Sequence, residues 1–211
     1  MQQPIALMLG YKKPDTSSET HRHRSVSSFI YHIEKHLGPI RSGARLGEGI
    51  SAVRFTDCPM PGATTFMTLG LSHHFFSQAV RESVCIELLV ACREDLVEPF
   101  NPASVLADVC ERIVPAHVAP PRGTVFGPAG RFFAASKTEA LYCSPPAYFH
   151  EDLGKFDGFS APFVPIWLVP ITPAEAAFVG QRGWQAFEDL LDEKEPDLLD
   201  LTRPCLILDD V

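Results

Sequence analysis

Residues 84–92, Val84-Cys-Ile-Glu-Leu-Leu-Val-Ala-Cys92, read as the strand around which the chain is arranged. Side chains alternate faces along a strand. Here both sets are apolar, the pattern of a strand covered on both sides. Glu87 is the exception, sharing one face with Cys85, Leu89 and Ala91. A carboxylate there must be paired, hydrogen-bonded or protonated, because an isolated buried charge costs several kcal/mol. Such an environment belongs either to a functional site or to a structural polar network.

Outward from this strand, Ser51, Val53 and Phe55 alternate before Asp57 and Pro59, and residues 64–71 are rich in β-branched and aromatic side chains. The Met60-Pro61-Gly62 link predicts an antiparallel hairpin between them. Downstream, Asn101-Pro102 opens a helix, with Asn as cap and Pro in the first turn. Val105, Leu106, Val109, Cys110, Ile113 and Val114 form its apolar stripe, and Pro115 ends it. Residues 116–136 are dense in Pro and Gly and read as a loop with short strands. Residues 140–143 and 163–171 are further strands, with Pro165 and Pro170 confining the regular part of the second to 166–169. Thr172-Pro-Ala-Glu175 is a capping box. Gly183 breaks its helix, and Trp184, Phe187, Leu190 and Leu191 begin another. Towards the N-terminus, Ser27 or Ser28 caps a helix carrying Phe29, Ile30, Ile33 and Leu37, stopped by Gly38-Pro39. Residues 1–24 read as a loose N-terminal segment, and 197–211 as a tail wrapping the surface. With no internal repeat, residues 1–211 read as a single domain.

Bulk composition narrows the function classes. The 211 residues can bury one sizeable core. Against 18 Lys+Arg stand 26 Asp+Glu, a net charge of −8 that repels a phosphate backbone and favours a basic protein partner. Nucleic acid is therefore not an expected partner. No apolar run approaches the ~18 residues of a membrane span, and the short patch at Ile5-Ala-Leu-Met-Leu9 lacks the flanks of a signal peptide. The six cysteines form no Cys-x-x-Cys pair and read as small buried hydrophobes in a reducing, cytoplasmic setting.

Three clusters invite a chemical reading. His32-Ile-Glu-Lys-His36 places two imidazoles four apart on one helix face, a spacing that can chelate a metal. Glu34, however, is displaced from the position a zinc-activated water needs, and the expected reading is a solvated helix edge. His73-His74 follows Ser72, so an imidazole lies near a hydroxyl with no orienting third group in sequence. The simpler reading has Ser72 capping a helix while Phe75 and Phe76 pack into the core. The run Glu188-Asp189, Asp192-Glu193, Glu195 and Asp197 lacks the order of a calcium loop and reads as the solvated face of a helix that could meet a basic protein. The glycines of Gly123-Thr-Val-Phe-Gly-Pro-Ala-Gly130 have neither Walker nor dinucleotide spacing.

In order of appearance, Thr68-Leu-Gly-Leu-Ser72, Glu87-Leu-Leu, Asn101-Pro102, Tyr142-Cys-Ser-Pro-Pro146, Val164-Pro-Ile-Trp, Pro170-Ile-Thr-Pro-Ala-Glu175, Gly183-Trp184 with Leu190-Leu191, and Asp200-Leu-Thr-Arg203 resemble the suppressor-of-fused domain family. The likeness spans residues 51–203. It implies an α+β domain, a mixed and mainly antiparallel central sheet with helices packed on it, which the order of elements above matches. The animal member is a two-domain regulator holding a transcription-factor peptide between its domains, and this chain looks like the first domain alone. Compact bacterial relatives are proposed to be immunity proteins that neutralise polymorphic toxins. The resemblance supplies no catalytic motif and no cofactor.

The expectation is therefore a non-catalytic protein-binding module, an immunity protein or a regulator sequestering its partner, using a sheet edge or the acidic helix face. Glu87, Ser72, His73, His74, Glu188, Asp189 and Asp192 are the candidate binding residues. One alternative is a hydrolase using Glu87 with His73 or His74. Another is a metal-binding accessory protein using His32 and His36.

Overall fold

A computed structural model describes residues 18–47, 49–78 and 81–207. Strands β1 (Ser42–Gly47), β2 (Ile50–Thr56), β3 (Ala63–Leu69), β4 (Phe76–Gln78), β5 (Arg81–Arg93), β6 (Val125–Phe126), β7 (Ala140–Ser144) and β8 (Phe163–Ile171) form one sheet. Its order is β1-β2-β3-β5-β8-β7-β6, with β4 also paired to β5. Among the strand pairs of the described residues, only β5–β8 is parallel. The fold is thus α+β with a mixed, mainly antiparallel sheet, and residues 84–92 lie in its central strand.

Helices cover both faces. On one, Phe29, Ile33 and Leu37 of α1 (Ser18–Leu37) and Ala176, Val179 and Phe187 of α4 (Pro173–Lys194) pack with Val53, Met67, Leu89 and Trp167. On the other, the whole stripe anticipated from Val105 to Val114 is buried on α3 (Pro102–Ala116) against Ile86, Leu88, Val90 and Cys92. The two-sided apolar pattern of β5 follows directly, since its alternate residues enter separate cores. A single-turn helix, α2 (Val97–Phe100), precedes α3.

Several local readings are refined. The first helix begins at Ser18, so neither Ser27 nor Ser28 caps it, and residues 18–24 of the segment read as loose have helical backbone. Residues 1–17 and 208–211 lie outside the described residues. Asn101 precedes α3 in a left-handed conformation (φ 49°) and makes no side-chain cap. That helix runs one residue past Pro115. Strand β8 is regular throughout despite its prolines. Residues 163–167 pair with β5 and 167–171 with β7, so Pro165 and Pro170 each lie where only one side is laddered.

The capping box forms as read: the Glu175 backbone N–H donates to Thr172 Oγ1 and the Thr172 N–H to Glu175 Oε2. At Gly183 the backbone leaves helical geometry (φ 85°, ψ 166°), kinking α4. Beyond it the tail does more than wrap the surface. Leu198, Leu199 and Leu201 are buried, and the Arg203 guanidinium donates to both oxygens of buried Glu175, at 2.6 and 2.8 Å. All six cysteines are free, and all but Cys205 are buried.

Candidate functional site

Glu87 stands where the sheet is interrupted. β3 pairs with β5 from Leu89 to Arg93, and β4 pairs with it from Arg81 to Val84. Between them Gly70, in a left-handed conformation (φ 107°), leads into a 3-10 turn at Leu71–His73. A side chain at Gly70 would meet the Gly49 carbonyl at 2.5 Å, so only glycine fits. Glu87 Oε1 accepts from the Gly70 and Ser72 N–H groups, both at 3.0 Å. Its Oε2 accepts from Thr68 Oγ1 at 2.5 Å, and that hydroxyl accepts the Leu88 N–H at 2.8 Å. The carboxylate thus replaces the missing strand partners, and complete burial pushes its pKa up to about 7 against the pull of these donors.

Glu87 does not share the hollow that holds His73 and His74. A hollow of about 210 Å³ is lined by Ser72, His73, His74, Phe75, Cys85 and Phe159, among others, but not by Glu87. Ser72 does not cap a helix; its N–H is spent on Glu87. Phe76 enters the core, whereas Phe75, expected beside it, is 78% exposed.

On α1, His32 and His36 stack edge to face at 4.8 Å, with His150 5.4 Å from His36. His32 Nε2 lies 2.9 Å from the Leu153 carbonyl, and Glu34 Oε1 accepts the Ile40 N–H at 2.9 Å. Burial, then His32, Lys35 and His150, lowers the His36 pKa, with Asp152 opposing. Among the described residues, no group of three or more His, Cys, Asp or Glu side chains could hold a metal ion.

The acidic run divides in two. Glu188, read as solvated, is instead partly buried and paired: its carboxylate accepts from Arg122 Nε at 2.8 Å, from Arg122 Nη2 and from Tyr142 OH at 2.7 Å. Burial, then Glu188, pushes the Tyr142 phenol well above its ordinary range, so it remains a donor. The Arg122 guanidinium lies 4.5 Å from the centre of the Trp184 ring, and Gly123 lets that ring close in. Asp189 and Asp192 are exposed.

Beside this group, β7, β8 and the end of α4 enclose a cavity of about 500 Å³. Trp167, Val169, Leu191 and Leu198 give it apolar walls, while Glu188, Asp192 and Glu195 bring carboxylates to it. A further hollow of about 380 Å³, between α3 and β6, is lined by Asp108 and Glu139 together with Arg112 and Arg131, so its charges balance. The α4 cavity went unread because its walls are far apart in sequence. Of the candidate binding residues read from the sequence, Glu188 and Asp192 line it, but their apolar counterparts Trp167, Val169 and Leu198 were read only as strand and tail residues.

Among the described residues, no helix is long and apolar enough to cross a membrane. A family model described as suppressor of fused protein matches residues 47–204. Immunity protein YqcF of Bacillus subtilis (strain 168) is 23% identical over 159 residues, which cover 75% of this chain and 82% of that protein. The crystal structure of a suppressor of fused homologue from Neisseria gonorrhoeae FA 1090 superposes with a TM-score of 0.63 at 18% identity, covering 88% of this chain and 97% of that one. The crystal structure of the Sufu–Fu complex gives 0.62 at 12% identity, over 86% and 92%.

Proposed function

The chain belongs to the suppressor of fused family, and we propose from this that it is a non-catalytic protein-binding module, an immunity protein that neutralises a toxin by direct contact in the cytoplasm. The likeness to an immunity protein over three quarters of the chain carries this reading. The geometry supports it in a second way. The carboxylate most suggestive of chemistry, Glu87, is occupied by Thr68, Gly70 and Ser72 and does not line the hollow beside His73 and His74. The charge of −8 suits a basic partner, whose approach it would accelerate.

The test is co-expression with the product of an adjacent reading frame in a heterologous host. That product alone should arrest growth, this chain should restore it, and the two should elute together as one stoichiometric complex. A harmless neighbour, or arrest that this chain does not relieve, counts against the immunity role. A complex formed without toxicity would favour the regulator reading instead.

A further inference from the structure

The α4 cavity differs from the other two hollows in pairing an apolar interior with uncompensated negative charge. Of its three carboxylates, Glu188 is matched by Arg122. Asp192, in the last turn of α4, and Glu195, the left-handed residue that ends it (φ 44°), are exposed, form no ion pair among the described residues, and line the same cavity. The carbonyls that end a helix add partial negative charge in the same place. The nearby Lys194 ammonium is engaged by Glu193 at 2.7 Å. A cation is therefore the ligand the rim favours.

The interior narrows the choice of cation. Trp167 and Tyr148 line the cavity with their rings 5.0 Å apart, and the Tyr148 hydroxyl donates to the Pro196 carbonyl. Trp167 is 1% exposed, and its Nε1–H is buried without a hydrogen-bond partner. A planar guanidinium can lie on aromatic faces and fork between two carboxylates, whereas an ammonium is a compact, strongly hydrated point charge. A main-chain carbonyl arriving with that side chain would give the indole N–H its acceptor.

We infer that the cavity between β7, β8 and the end of α4 receives an arginine side chain from a loop of the partner protein, with Asp192 and Glu195 taking the guanidinium and Trp167 the adjoining backbone. This rests on the protein-binding reading and assigns its contact.

The probe is the acetylated, amidated tripeptide Gly-Arg-Gly, compared with its neutral citrulline counterpart and with Gly-Lys-Gly. The readout is the indole N–H resonance of Trp167, told from that of Trp184 by a Trp184→Phe variant. The arginine peptide should move the resonance saturably, and the citrulline peptide should leave it in place. In the Asp192→Asn/Glu195→Gln variant the affinity should fall about tenfold or more, with the melting temperature unchanged. Equal responses to arginine and citrulline, no saturable response, or indifference to the double variant would each overturn the assignment, and an equal response to lysine would remove the preference for arginine. The co-expression experiment separates this from the function itself. A toxin bound equally well by the wild type and the double variant would exclude the cavity while leaving the immunity role intact.

Discussion

Glu87 meets three donors and complete burial, and their balance sets a measurable pH dependence. Burial raises its pKa from 4.5 to about 7, so the folded chain holds a proton that the unfolded chain has already released across that interval. Stability from this group is therefore full below about pH 4.5 and is lost as the pH rises through about 7, on the order of 3 kcal/mol in all. Gln resembles the protonated acid, with one acceptor for the Gly70 and Ser72 N–H groups and a donor toward Thr68. Denaturation of Glu87→Gln at several pH values should show this dependence abolished, with stability within about 1 kcal/mol of wild type in acid and exceeding it in mild alkali. A pH dependence unchanged in the variant would place the titration elsewhere. The tension at this residue was legible in sequence, since a lone Glu in an apolar strand must find partners. Which partners was not legible, because Gly70 and Ser72 reach it only after β3 leaves β5.

At the scale of elements, α4 and the tail form a latch. Burial alone would raise the Glu175 pKa, but the Arg203 guanidinium and the Thr172 and Leu206 N–H groups outweigh it and hold the carboxyl below its ordinary range. The sign is opposite to that of Glu87: stability from this group is present at neutral pH and is lost as the pH falls through the lowered value. Arg203→Ala would leave a buried carboxylate without its counter-charge, at a cost of about 3–5 kcal/mol. Replacing both partners, as Glu175→Gln/Arg203→Met, should recover much of that loss, because neither charge is then stranded. Urea midpoints of the two variants check this, and a double variant as unstable as the single one would refute the latch. The capping box could be read from Thr172 and Glu175 because its signal is local. The second duty of Glu175 could not, since its partner is 28 residues away at a position with no periodic pattern. Glu188 shows the same limit: its helical spacing resembles a solvated face, and only the fold brings Arg122 and Tyr142 against it.

For the whole molecule, the sheet with helices packed on it was what the family resemblance implied, and the order of elements agreed. The two-sided apolar strand marked a strand covered on both faces and the single stripe on α3 a helix with one buried face, because burial periodicity is written along each element. Cavities are not, since they lie between elements. Charge is readable again, as a sum over the surface, and it carries the last expectation. A chain at −8 meeting a basic toxin should associate under electrostatic steering, which operates over about one Debye length, about 10 Å at 0.1 M salt. Raising sodium chloride from about 0.05 M to about 0.5 M should therefore slow association with the co-expressed toxin by about tenfold or more, with a smaller change in dissociation. The Asp192→Asn/Glu195→Gln variant removes two of the net negative charges and, if the cavity holds the arginine, also a direct contact. Its association should slow modestly while its dissociation quickens, a combination that loss of distant rim charge alone would not produce. Stopped-flow association traces and surface-based dissociation traces resolve the two effects. Salt-independent association would mean that the partner is not recognised through the charge of this surface.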